Sequence, residues 1–171
     1  MLNNVLGWTA VLLIAPVLTF LHEIAHAAVG LLVGPERTWI ELGSGERRRS
    51  FRLGRIDVHM HTPLWFFSGH MGYEGTRPSP RGEVAVSVAG PLSSLVMGLG
   101  LLVVHWNTKL PPGPFHLVFA GAQWALIQTL MTGIPMVYPA GMPGYAGKPS
   151  DGLRAVRCLA DARAGRTEPT G

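Results

Sequence analysis

Val17-Leu18-Thr19-Phe20-Leu21-His22-Glu23-Ile24-Ala25-His26-Ala27-Ala28-Val29-Gly30 sits inside an apolar run that extends from Val5 to Gly34 and stops at Gly34-Pro35. The run is longer than the ~20 residues that span a hydrocarbon core. It predicts a retained, tilted transmembrane helix. A secretory signal peptide would start basic and reach a small-residue cleavage site after a short apolar stretch, whereas the first twenty residues contain no charged side chain. Three ionisable groups inside such a span are costly, at ~2.5–3.5 kcal/mol each on insertion scales, so His22, Glu23 and His26 together call for a compensating ligand. Histidines four apart emerge on one helical face and can share a metal ion, with Glu23 beside it. Zinc held by neutral imidazoles lowers the pKa of a bound water to about 7, and an adjacent carboxylate can take its proton. The spacing therefore predicts zinc-dependent hydrolysis. Nine residues separate His26 from Pro35, which places the ion about 13 Å below the inner end of the span at 1.5 Å per residue.

Composition points to lipid as well. The 171 residues correspond to one domain, 1–171, built from nearly the whole chain. Hydrophobic residues make up 47% and charged residues 14%, against about a quarter charged in an ordinary soluble domain. Eight arginines and six acids lie between residues 36 and 83, and five further basic residues follow Pro139. Arginines beside membrane spans mark the cytoplasmic face, a better account of Arg47-Arg48-Arg49 than nucleic acid. With one cysteine, Cys158, there is no internal disulfide and no finger-type zinc site. Cys158 reads as packing.

Downstream, residues 37–61 alternate apolar with polar and read as a β-hairpin. Pro63 to Pro80, rich in glycine and aromatics such as Trp65, Phe66 and Phe67, reads as an interfacial loop. Further spans are expected at about 84–106 and 115–137, which makes the fold an α-helical polytopic membrane protein with three transmembrane helices. The first long loop and the tail then share the cytoplasmic side, with the N-terminus outside, and the expected location is a bacterial cell membrane. From Thr132 to Gly152 the prolines and glycines preclude a regular helix. Irregular backbone at membrane depth must be buried or line a wet cavity, so this stretch is expected to wrap the site. A short basic helix at about 152–164 and a frayed end complete the chain.

Catalytic zinc takes three protein ligands and an open fourth position. Asp151, in Pro149-Ser150-Asp151-Gly152, is the candidate third ligand, although Ser150 or Asp151 would serve equally well as the N-cap of the last helix. Gly90, Ser94 and Gly98 recur every four residues as a small-residue stripe, read as helix packing. His59 and His61 share a strand face, and His70, His105 and His116 have no partner at ligand spacing.

Through His22-Glu23-Ile24-Ala25-His26, Ala89-Gly90-Pro91-Leu92 and Ser150-Asp151-Gly152, the chain resembles the site-2 protease family of intramembrane zinc metalloproteases over most of its length. The resemblance implies zinc on His22, His26 and Asp151, Glu23 as catalytic base, regulated intramembrane proteolysis, and a membrane-protein substrate that pairs with the edge of the hairpin. Ser94 and Thr132 stand where the family has asparagines. Either could donate to the developing oxyanion or bond its own helix carbonyl. The rival readings are a membrane metal-binding or transport protein, a proteolytically silent substrate-binding relative, and a basic membrane-surface adaptor.

Overall fold

Gly34-Pro35 ends the first helix where the sequence says it should. The computed structural model describes residues 2–63, 68–142 and 144–166, and its first element is α1 (Leu2–Val33), with Pro16 inside it. A four-stranded sheet follows: β1 (Arg37–Leu42), β2 (Gly45–Leu53), β3 (Ile56–Pro63) and β4 (Gly69–Glu74). Then come α2 (Pro80–Asn107), α3 (Pro112–Gly133) and α4 (Asp151–Arg163).

The sheet corrects the expected hairpin. Its order is β2-β3-β1-β4, so only β2 and β3 form a hairpin, turning at Gly54 with φ +60°, while β1 lies between β3, parallel, and β4, antiparallel. The cause is in the burial pattern. Thr38, Ile40 and Leu42 are buried on one face of β1, and a half-buried strand is best placed in the middle. The charged strand β2 takes an edge, where charge deters pairing with other chains. β4 lies in the stretch read as loop, disguised by glycines that weaken strand propensity. Gly72 is needed because Trp39 lies across the strand pair: a Cβ there would fall 2.2 Å from the Trp39 ring. The expected interfacial aromatics Trp65, Phe66 and Phe67 lie outside the described residues, as does the end of the chain after Arg166.

The sheet packs on the C-terminal half of α1 through Ala27, Ile40, Leu42, Ile56, Val58, Met71 and Val86. Gly30 lets the sheet come close, since a Cβ there would meet Met71, Tyr73 and Thr38 at 3.2–3.3 Å. α2 packs against α1, α3 and α4. The lower end of the small-residue stripe serves this purpose: a Cβ on Gly98 would lie 2.9 Å from Leu126.

α1 and α2 are long and apolar enough to cross a membrane. Their surfaces are inverted relative to a soluble protein. Leu12, Leu13, Leu32, Val96, Leu99 and Val103 are exposed, while Thr19, His22, Glu23, His26, Ser87 and Ser94 are buried. α3 ends at Gly133 rather than running on to 137, because Ile134, the residue before Pro135, is driven to extended backbone (φ −70°, ψ 126°). Cys158 is buried and free.

Candidate metal centre

His22 and His26, one turn apart on α1, point at the start of α4. Their Nε2 atoms are 3.1 Å apart, and Oδ2 of Asp151 lies 3.4 Å from the first and 3.2 Å from the second. Four ligands at zinc bond lengths of ~2.0–2.1 Å define a tetrahedron with edges of about 3.3–3.4 Å. The observed triangle is one face of that figure, drawn slightly tight.

The outer ring nitrogens are both engaged. His26 Nδ1 donates to the Val86 carbonyl at 2.6 Å, and His22 Nδ1 lies 2.8 Å from the Ser94 hydroxyl. A carbonyl only accepts, so the hydrogen of neutral His26 sits on Nδ1 and Nε2 presents a lone pair; donation to Ser94 leaves His22 in the same tautomer. Two imidazole lone pairs and a carboxylate oxygen, crowded within 3.4 Å, repel one another unless a cation lies between them. The donor set therefore fits zinc.

Ser150, not Asp151, caps α4: its hydroxyl accepts from Leu153 N–H at 3.2 Å. The same oxygen accepts from Met136 N–H at 3.1 Å and donates to the Ile134 carbonyl at 2.7 Å. The cap ties α4 to the end of α3 and leaves the Asp151 carboxylate free to face the histidines. Gly152 permits the approach, because a Cβ there would fall 2.0 Å from the Gly133 carbonyl oxygen.

Two glycines that sequence reasoning assigned elsewhere belong to the centre. A Cβ on Gly90 would lie 2.1 Å from His26 Nε2 and 2.6 Å from His22 Nε2, and one on Gly69 would lie 2.7 Å from Glu23 Oε1. The upper part of the α2 stripe thus makes room for the imidazoles, a role that spacing alone could not separate from helix packing. Glu23 is 4% exposed. It borders a cavity of about 390 Å³ together with His22, His26, Asp151, Gly69 and Tyr145.

The two hydroxyl residues considered for the oxyanion have other partners. Ser94 is fully buried against His22 and does not reach the cavity. Thr132 reaches it, but its hydroxyl donates to the Gln128 carbonyl of its own helix at 2.9 Å.

The irregular segment 134–150 folds back on itself through a Val137↔Pro149 bridge and puts Tyr138, Tyr145, Lys148 and Pro149 on the cavity wall. Tyr138 donates to the Met131 carbonyl at 3.2 Å, and Tyr145 accepts from Gly69 N–H at 2.9 Å. Burial pushes both phenols well above the usual tyrosine range. No motif announced these tyrosines.

His70 Nε2 lies 3.2 Å from Glu41, which is also 3.8 Å from His61. Burial lowers the His70 pKa, and Lys148 nearby adds to the effect. His59 instead meets Ser50 at 2.9 Å, and His105 packs on Phe115 and Phe119. Glu83, 5% exposed in the first turn of α2, accepts from Tyr73 at 3.1 Å and lies 3.7 Å from Arg154, linking sheet, α2 and α4.

No curated protein matches the chain. A family model described as Peptidase M50B-like matches residues 3–132, which takes in the His22-Glu23-Ile24-Ala25-His26 motif and all of α2. Asp151 lies beyond the match, so its assignment rests on the geometry above. The chain belongs to the Peptidase M50B-like family of metalloproteases, within the site-2 protease group that its motifs resemble.

Proposed function

We propose that the protein is an intramembrane zinc endopeptidase that hydrolyses a peptide bond in a transmembrane or membrane-proximal segment of another membrane protein. The observation that carries this reading is the convergence of His22 Nε2, His26 Nε2 and Asp151 Oδ2 beside Glu23 on one cavity. Zinc held there would polarise a water and the scissile carbonyl. Glu23 would take a proton from the attacking water as the water's oxygen adds to the carbonyl carbon, and deliver it to the amide nitrogen as the C–N bond breaks. Water is consumed, and one carboxyl and one amine terminus result.

α3 is read as the third span. Its exposed Phe119, Ile127 and Leu130 continue the apolar surface of α1 and α2, and three spans keep the arginine-bearing loop and tail on one side, in the cytoplasm by the positive-inside rule. Substrate pairing shifts from the hairpin to the opposite edge of the sheet. β4 borders the cavity through Gly69, His70 and Met71, whereas β2 forms the far edge. An unwound segment adding as a strand to β4 would lie beside Glu23.

The test is cleavage of a membrane-protein substrate in reconstituted vesicles by wild type and Glu23→Gln. Loss of at least 10³-fold in kcat with zinc retained is the expected result. Undiminished cleavage would remove Glu23 from the mechanism and favour the metal-binding alternative.

A further inference from the structure

The reaction places negative charge on the scissile carbonyl oxygen, and an unassisted oxyanion in a low-dielectric site is expensive. Ser94 and Thr132 have been drawn off to His22 and to Gln128. The cavity wall offers another hydroxyl. Tyr145 reaches it from the irregular segment, with its ring 5.0 Å from that of Tyr138 and its oxygen accepting the Gly69 N–H at 2.9 Å. That bond uses the phenol as an acceptor. Among the described residues nothing accepts the phenol's own hydrogen.

Gly69 sets the relation between this hydroxyl and the reacting groups. Its N–H holds Tyr145, while the face on which a side chain would stand is pressed against Glu23, 2.7 Å from Oε1 to a Cβ built there. Base and phenol are therefore indexed to the same backbone residue, at the end of the strand beside the cavity. Tyr138, which also lines the wall, is unsuited to the role because its hydrogen goes to the Met131 carbonyl.

We infer that Tyr145 is the oxyanion donor of this enzyme: its O–H, held in place by the Gly69 N–H, hydrogen-bonds the scissile carbonyl oxygen as charge develops there. The inference rests on the endopeptidase reading. No atom is exchanged in the contact. The phenol keeps its proton throughout, the water proton travels by Glu23, and the interaction strengthens as the carbonyl becomes tetrahedral. Burial, which holds the phenol protonated far above neutral pH, suits a donor of this kind.

Tyr145→Phe keeps the ring against Tyr138 and removes only the hydroxyl. In the zinc-loaded, reconstituted enzyme kcat should fall about 10²–10³-fold, the usual loss for one oxyanion donor, with KM unchanged. Affinity for a phosphonamidate peptide, which mimics the tetrahedral state, should fall by a similar factor by calorimetry, while zinc content and melting temperature stay at wild-type values. Unchanged kcat, or a loss confined to KM, would overturn the inference. So would loss of zinc or of melting temperature in step with activity, which assigns the hydroxyl to the fold. If Glu23→Gln cleaves like wild type, the endopeptidase reading fails. If Glu23→Gln is inactive while Tyr145→Phe is fully active, only the assignment of Tyr145 fails.

Discussion

At position 90 even a methyl group does not fit, since its carbon would fall 2.1 Å from one imidazole nitrogen and 2.6 Å from the other. Gly90→Ala is therefore expected to cost zinc binding at least tenfold, read as metal content of purified protein, with the helical circular dichroism retained. Ser94 acts at one remove, positioning His22 through Nδ1. Losing an outer-shell partner of this kind costs ~10–100-fold in metal affinity. Ser94→Ala should show that loss in a chelator competition, and Ser94→Thr, which keeps a hydroxyl at the position, should recover part of it. A purely structural serine would show neither effect. At this scale His22, Glu23 and His26 were legible from type and spacing. Gly69, Gly90 and Tyr145 were not, because their roles depend on what stands opposite them in space.

Among the elements, α4 brings Asp151, the candidate ligand that does not come from α1, and Ser150 sets its position. Ser150 is 1% exposed, and its hydroxyl makes three hydrogen bonds, to Leu153 N–H, Met136 N–H and the Ile134 carbonyl. Ser150→Ala removes an N-cap and strands buried partners, at a cost of roughly 2 kcal/mol. Expected results are a lower melting temperature in detergent and weaker zinc binding, because Asp151 loses its anchor. Unchanged stability would show that the end of α3 holds α4 without the cap. The sheet shows where local pattern fails. Alternation in residues 37–61 identified strands but not their partners, since pairing a strand with its sequence neighbour or with one farther along is decided by which faces need burial. The glycines of β4 concealed a strand altogether.

For the molecule as a whole, the ion would join α1 to α4, which are 125 residues apart in sequence at His26 and Asp151. Withdrawing zinc with a chelator should leave α1 and α2 intact, held by their own packing, and release α4 with the segment before it. Faster amide exchange across residues 138–163 than across α2 is the expected readout, and equal exchange would mean that the Ser150 cap and the Glu83–Arg154 pair hold α4 without the metal. Acid should act in the same direction. Metal ligands must be deprotonated, so zinc affinity should fall as pH drops and protons compete with the metal for the imidazoles and the carboxylate. Metal content measured from pH 8 to pH 5 should decline across that interval.

The sequence by itself determined the apolar helices, the ionisable triad embedded in the first of them and the helix break at Gly34-Pro35, because periodicity, composition and proline stereochemistry act locally along the chain. It also determined the family to which the chain belongs. Only the tertiary structure decided that Ser150 caps α4 while Asp151 turns to the histidines, that β1 occupies the middle of a four-stranded sheet, and that Ser94 supports His22. These are contacts across 72 and 129 residues of chain. Their energies depend on distance and burial in space, which spacing along a sequence does not encode.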